Sequence, residues 1–81
     1  MNLYWIGRPD LQGYDEYSEA VVAAETSEQA QRIHPNGWSV WSKGGWDTSY
    51  WPEPERVRVE LLGGAVEGTK EGVICASFHA G

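Results

Sequence analysis

The chain has 81 residues, one cysteine and a formal net charge of −6 at neutral pH. Its length allows one domain, residues 1–81, with a thin hydrophobic core, and a single cysteine, Cys75, excludes an intramolecular disulfide. Because negative charge repels phosphate groups, the composition disfavours direct nucleic-acid binding and favours partners with a basic surface. A domain this small commonly needs further stabilisation, which leaves self-association open.

Two strands are predicted in the first third of the chain. The aromatic and β-branched segment 3–7 favours a strand, and the polar segment 8–18 that follows favours a loop. The apolar run 20–24 is too short for a typical helix, so it predicts a central strand covered on both faces. Trp5 lies within the first strand and is expected in the core.

A short helix is predicted after the second strand. Thr26 and Gln29 match a capping box, in which each side chain bonds a backbone N–H that the first helical turn leaves free. The helix is expected over residues 27–33, and Pro35 ends it because the residue before a proline avoids helical backbone angles. His34, at the helix end, is expected to interact with the last helical carbonyl groups.

Two further strands are predicted in the last third. Residues 57–61 alternate between apolar and charged, which is the period of a half-buried strand, and a glycine pair ends it. Residues 72–78 give the final strand, with Val73, Cys75 and Ser77 expected on one face. The predicted fold class is α+β in the order β-β-α-β-β: a four-stranded, mainly antiparallel sheet with one short helix and a long tryptophan-rich connection.

That connection, residues 36–55, gives the first candidate surface. It contains four of the five tryptophans and a Gly-Gly pair. Tryptophan and tyrosine dominate binding hot spots, whereas a small domain also uses tryptophan to fill its core, so both roles remain open for this segment. The candidate partner-binding residues here are Trp38, Trp41, Trp46, Tyr50 and Trp51.

The acidic excess gives the second candidate surface. Residues 10–28 contain six acidic residues and neither lysine nor arginine. A solvated acidic loop that keeps a small protein in solution is the alternative interpretation. The candidate partner-binding residues in this segment are Tyr14, Asp15, Glu16, Tyr17 and Glu19.

The sequence contains no motif that specifies catalysis, a metal or a cofactor. Cys75 lies among apolar residues, where a free cysteine usually acts as a small hydrophobic side chain. His34 and His79 lack a metal-binding spacing, the carboxylates lack the EF-hand pattern, and the glycines form no phosphate-binding loop. We therefore expect a protein that is not an enzyme, with no catalytic residues, no metal and no cofactor.

Two segments of the sequence are similar to a known group of proteins. The pieces GYDEYSEAVVAAETSEQAQRIHPNG and EGVICASFHAG resemble a group of short phage and prophage proteins with the pattern YDxY, AVVAAE, IHPxG and GVIxASFxAG. The resemblance covers most of the chain outside the tryptophan-rich connection. It implies a phage protein in a bacterial host, and it supplies no catalytic residues.

The leading hypothesis is a phage-encoded binding protein that inhibits or redirects a host protein complex, such as a defence system, in an anti-CRISPR-like manner. An acidic surface would occupy a basic nucleic-acid channel. The alternative is a protein that sequesters a small nucleotide signal by stacking it on tryptophans. No segment approaches the roughly 20 apolar residues of a membrane span, and the N-terminus lacks signal-peptide features, so the host cytoplasm is the expected location.

Overall fold

A computed structural model describes residues 1–8, 16–37, 45–46 and 51–79, with the backbone alone for residues 16, 78 and 79. Its elements in chain order are β1 (Asn2–Gly7), β2 (Glu16–Ala24), α1 (Ser27–Gln31), a 3₁₀ turn (Pro54–Arg56), β3 (Arg58–Gly64) and β4 (Gly72–His79). The four strands form one antiparallel sheet in the order β3-β1-β2-β4. The predicted α+β class, with a four-stranded antiparallel sheet and one short helix, is confirmed. None of the helices in the described ranges has the length and apolarity of a membrane span.

The strand β2 begins earlier than the sequence predicted. It starts at Glu16, so the loop prediction for residues 8–18 is wrong for its last three residues. Polar composition misled that prediction, because these residues are held by pairing with β4. Tyr17 packs against the core, and the Ser18 hydroxyl donates to the carbonyl oxygen of Ser77 at 3.3 Å. The central position predicted for β2 is confirmed, since it lies between β1 and β4. The predicted cover on both faces is wrong, because on the face opposite the core Val21 is only half-buried and Glu19 is exposed.

The helix α1 begins as predicted and ends earlier. The Thr26 hydroxyl accepts from the N–H of Gln29 at 3.1 Å, which confirms the predicted cap. The Gln29 side chain accepts from the N–H of Glu25 at 2.6 Å, one residue before the position that a standard capping box uses. Arg32 closes the helix through bonds from its N–H to carbonyl groups of the last turn, so the predicted end at residue 33 is two residues too late.

One face of the sheet carries the hydrophobic core. Tyr4 and Ile6 of β1 are buried on this core face together with alternate residues of β2. The buried residues that complete the cluster come from α1, the segment after it and the chain around the 3₁₀ turn. They are Ala20, Val22, Ala24, Ala30, Ile33, Trp51 and Val57.

Trp5 lies on the opposite face, so its predicted core position is wrong. Successive residues of a strand point to opposite faces, and the burial of Tyr4 and Ile6 therefore turns Trp5 away from the core. Trp5 is only partly buried. The sequence did not distinguish the two faces of this strand, because Leu3 and Trp5 are as apolar as Tyr4 and Ile6.

Both outer strands contain an extra residue that interrupts their alternation. Tyr4 pairs with Leu61 while Leu3 pairs with Gly63, which leaves Leu62 as a bulge in β3. In the same way, Ile74 is a bulge in β4 between the residues that pair with Val22 and Val21. The prediction that Val73, Cys75 and Ser77 share a face is therefore wrong for Val73, which packs against the core cluster.

Removing the Thr26 hydroxyl tests the helix cap. We expect Thr26→Ala to lower the free energy of unfolding by about 0.5–2 kcal/mol, because the N–H of Gln29 loses its acceptor. Ser27→Ala is the matched control, since Ser27 is exposed at the first helical position and makes no cap bond. Urea melts of both variants measure the difference, and equal stability of the two would place the cap elsewhere.

Candidate protein-binding face

Aromatic side chains from three distant segments meet around His34 on the core face. The ring of His34 stands edge-on to Tyr17 at 5.6 Å and to Trp46 at 5.2 Å, and is tilted against Trp51 at 6.5 Å, all between ring centroids. We call these four residues the aromatic cluster. It joins the start of β2 to the tryptophan-rich connection, so parts of the two predicted surfaces come together.

Trp51 is a core residue. Its side chain is fully buried, and its indole N–H has no hydrogen-bond partner. The indole N–H of Trp46, which is half-buried, donates to the carbonyl oxygens of Trp51 at 3.0 Å and Pro52 at 3.2 Å. These bonds fix Trp46 to the backbone next to the buried indole, so both tryptophans support the fold.

His34 is neutral in the folded protein. Only 4% of its surface is exposed, and its Nδ1 atom accepts a hydrogen bond from the N–H of Asn36 at 3.0 Å. Burial lowers its pKa from 6.5 to about 4, since the charged imidazolium would lose its hydration. The expected interaction with the helical carbonyls is therefore wrong: the ring turns into the aromatic cluster, where its burial favours the neutral form.

The structure places four of the ten predicted site residues with their side chains. Tyr17, Trp46 and Trp51 lie in the aromatic cluster, and Glu19 lies on the other face of the sheet. Glu16 belongs to β2, with its backbone alone described. The others fall outside the described residues and stay predictions: Trp38, Trp41, Tyr50, Tyr14 and Asp15.

The face opposite the core, which we call the open face, contains two rows of paired residues with exposed members; in a third row, Gly63, Leu3, Ala23 and Gly72, the Ala23 side chain is fully buried. From β3 to β4 the first row is Glu60, Trp5, Val21 and Cys75, and the second row is Arg58, Gly7, Glu19 and Ser77. Trp5 and Val21 are half-buried, and the outer residues of both rows are exposed. A mixed apolar and charged surface is thus presented on a rigid sheet.

Trp5 is held in place on the open face from two sides. Its indole N–H donates to the Glu19 carboxylate at 3.1 Å. Its six-membered ring lies over Gly7, where an added Cβ atom would clash with the ring. With the indole in this position, only a glycine fits beneath it, which explains the glycine at residue 7. Sequence reasoning missed this arrangement, although the Trp-x-Gly spacing within one strand was a usable signal.

A depression between β2 and β4 extends the open face toward the sheet edge. It has a volume of about 170 Å³ and is lined by Glu19, Ala20, Val21, Cys75, Ala76 and Ser77. Pockets that enclose small ligands usually have volumes of about 300–1,000 Å³. The lining contains neither an aromatic ring nor an arginine. This depression therefore gives no support to the nucleotide-sequestering alternative.

The described side chains do not assemble a catalytic or metal centre. Cys75 is exposed on the open face and His34 is buried on the core face, so the sheet separates the thiol from the imidazole. The apolar stretch around Cys75 predicted a small hydrophobic side chain, and the structure places this side chain at the surface of an outer strand. Within the described ranges, no three His, Cys, Asp or Glu residues are grouped as metal ligands would be.

Comparisons with protein-family models, curated proteins and solved structures found no match to this chain.

Titration of His34 predicts a pH dependence of stability. Because the pKa of His34 is lowered in the folded state, the unfolded chain binds more protons between pH 6.5 and 4. Stability should therefore fall as the pH drops through this window, by up to about 3 kcal/mol from His34 alone. In His34→Phe, which keeps an aromatic ring but cannot titrate, this component should be absent. Urea melts at pH 7, 6, 5 and 4 measure it, and identical slopes in both proteins would contradict the assignment.

Because Trp51 and Trp5 lie on opposite sides of the sheet, we expect their replacement to destabilise the fold to different extents. Trp51→Ala should destabilise the fold by about 3–5 kcal/mol, because it leaves a large cavity in the core. Trp5→Ala removes a half-buried ring and a single exposed hydrogen bond, and we expect it to cost about 1 kcal/mol. Thermal or urea melts compare the two variants. A larger loss for Trp5 than for Trp51 would reverse our assignment of the faces.

Proposed function

We propose that this protein works by binding a protein of a bacterial host through the open face, and so inhibits or redirects a host complex. The observation that carries this proposal is the position of Trp5. A large, half-buried indole lies on the side of the sheet opposite the core and is fixed there by Glu19 and Gly7.

The fixed indole supports binding on energetic grounds. Tryptophan contributes more than any other residue type to binding hot spots, and a side chain already held in one conformation loses little entropy when a partner covers it. Val21 and Cys75 continue the apolar surface along the same row toward β4. A partner that covers this row would shield about three neighbouring side chains from water.

The charges around the indole favour a basic partner. Glu19 and Glu60 flank Trp5 on the open face, with Arg58 at the margin of the second row. The whole chain has a net charge of −6, which accelerates association with a positively charged surface. A nucleic-acid-binding channel of a defence complex has such a surface, and the resemblance to short phage proteins supports a target of this kind.

Binding by the purified protein tests the proposal. Affinity capture from a bacterial host lysate, followed by mass spectrometry, identifies a partner whose affinity is then measured by calorimetry. We expect Trp5→Ala to weaken binding by about 2 kcal/mol, or roughly 30-fold, if Trp5 is a hot spot. Glu60→Arg should also weaken binding, because it places a positive charge against a basic partner. This loss of affinity should be larger at low salt concentration, where charges are screened less.

Glu67→Arg is the matched control for charge reversal. Glu67 is exposed in the turn between β3 and β4, away from the two rows of the open face, and should keep the wild-type affinity apart from a small effect of net charge. Equal affinities for wild type, Trp5→Ala and Glu60→Arg would reject the open face. If Trp38→Ala or Trp41→Ala abolished binding instead, the tryptophan-rich connection would be the binding surface.

A further inference from the structure

Within the described sheet, the outer edge of β4 has no neighbouring strand. β4 is the last strand of the sheet order, with β2 on its inner side. Four consecutive residues, Ile74–Ser77, are exposed, and Ile74 keeps 53% of its surface accessible although it is strongly apolar. An edge strand presents a row of backbone N–H and C=O groups that can pair with a further strand.

The other edge of the sheet is protected by charge. β3 carries Arg58 and Glu60, and the Gln31 side chain of α1 donates to the carbonyl oxygen of Val57 just before the strand. Charged side chains on an edge strand are a common means by which proteins prevent edge-to-edge pairing. β4 contains no Asp, Glu, Lys, Arg or Pro over its eight residues, so this protection is missing there.

We propose that β4 pairs with β4 of a second copy of this chain, in antiparallel orientation, to give a continuous eight-stranded sheet. The two-fold axis would be perpendicular to the sheet and cross β4 at Cys75 or Ala76. Antiparallel pairing of identical strands satisfies such an axis directly, because each residue i that contacts j is matched by j contacting i. The small side chains of Cys75, Ala76 and Ser77 allow close approach of the backbones.

Charge favours a second copy at this edge. Two molecules of net charge −6 repel each other wherever acidic side chains meet, so self-association requires a contact without them. Of the two outer strands, β4 has no acidic residue, whereas β3 contains Glu60. Pairing would also cover the exposed Ile74. The proposal does not depend on the function of the open face.

Sedimentation measures the oligomeric state directly. An interface made mainly by one strand pair is small, so we expect a weak dimer with a concentration-dependent mass between 9.0 kDa and twice that value. Ile74→Lys and Ala76→Lys should shift the protein to monomer by adding edge charges. Val66→Lys is the matched control, because Val66 is an exposed apolar residue in the turn after β3 and should leave the dimer unchanged.

The single cysteine provides a second test, in which the wild-type protein itself is cross-linked. Directly opposite residues of antiparallel strands lie about 4.5–5.5 Å apart, and diagonal neighbours about 7–8 Å apart. An axis at Cys75 predicts a disulfide-linked dimer under mild oxidation, and an axis at Ala76 predicts linkage by a short bis-maleimide. Cys75→Ser should lose the covalent link and keep the sedimentation dimer. A monomer at all concentrations up to 1 mM, or a dimer that survives Ile74→Lys and is not cross-linked, would overturn the proposal.

Discussion

Burial of the Trp51 indole is the constraint on which the rest of the core depends. The core face of β2 offers only small side chains on either side of Val22, namely Ala20 and Ala24, and α1 adds Ala30. These small side chains leave space in the core, and the fully buried indole of Trp51 belongs to the same cluster. Burying about 200 Å² of indole stabilises the fold by roughly 5 kcal/mol, which exceeds the roughly 1–3 kcal/mol cost of its unpartnered N–H. Hydrophobic packing therefore determines the position of Trp51, although its indole N–H makes no hydrogen bond there.

The surroundings of Trp51 extend this constraint to segments far apart in the chain. Trp46 is tied to the backbone carbonyls of Trp51 and Pro52, and His34 fills the space between the tryptophans and Tyr17. A charged imidazolium would not be tolerated among these rings, so the same packing that orders the core also suppresses protonation of His34. The aromatic residues thus serve stability on one side of the sheet, while Trp5 remains accessible on the other.

Local rules predicted much of the fold and little of the site. The cap at Thr26, the apolar run in β2 and the alternation in β3 depend on neighbours in sequence, and the structure confirms the elements that they indicate. The side of the sheet that Trp5 occupies depends on which face the helix covers, which is a long-range choice. The exposure of Cys75 depends on the outer position of β4 in the strand order. The burial of His34 depends on aromatic rings that other segments supply. None of these contacts leaves a periodic signal in the sequence.

The bulges at Leu62 and Ile74 give each outer strand one residue more than its inner neighbour needs. In a strand, loss of a regularly paired residue moves every following side chain to the opposite face of the sheet, because side chains alternate between the two faces. A bulge residue is exempt, because its removal leaves the remaining residues in register with the neighbouring strand. Each edge of this sheet therefore contains one position where the chain can shorten by a residue without exchanging its inner and outer faces. Ser18, which is the extra residue of β2 opposite β4, is a third such position, so single-residue deletions within the strands should be tolerated best at these bulges.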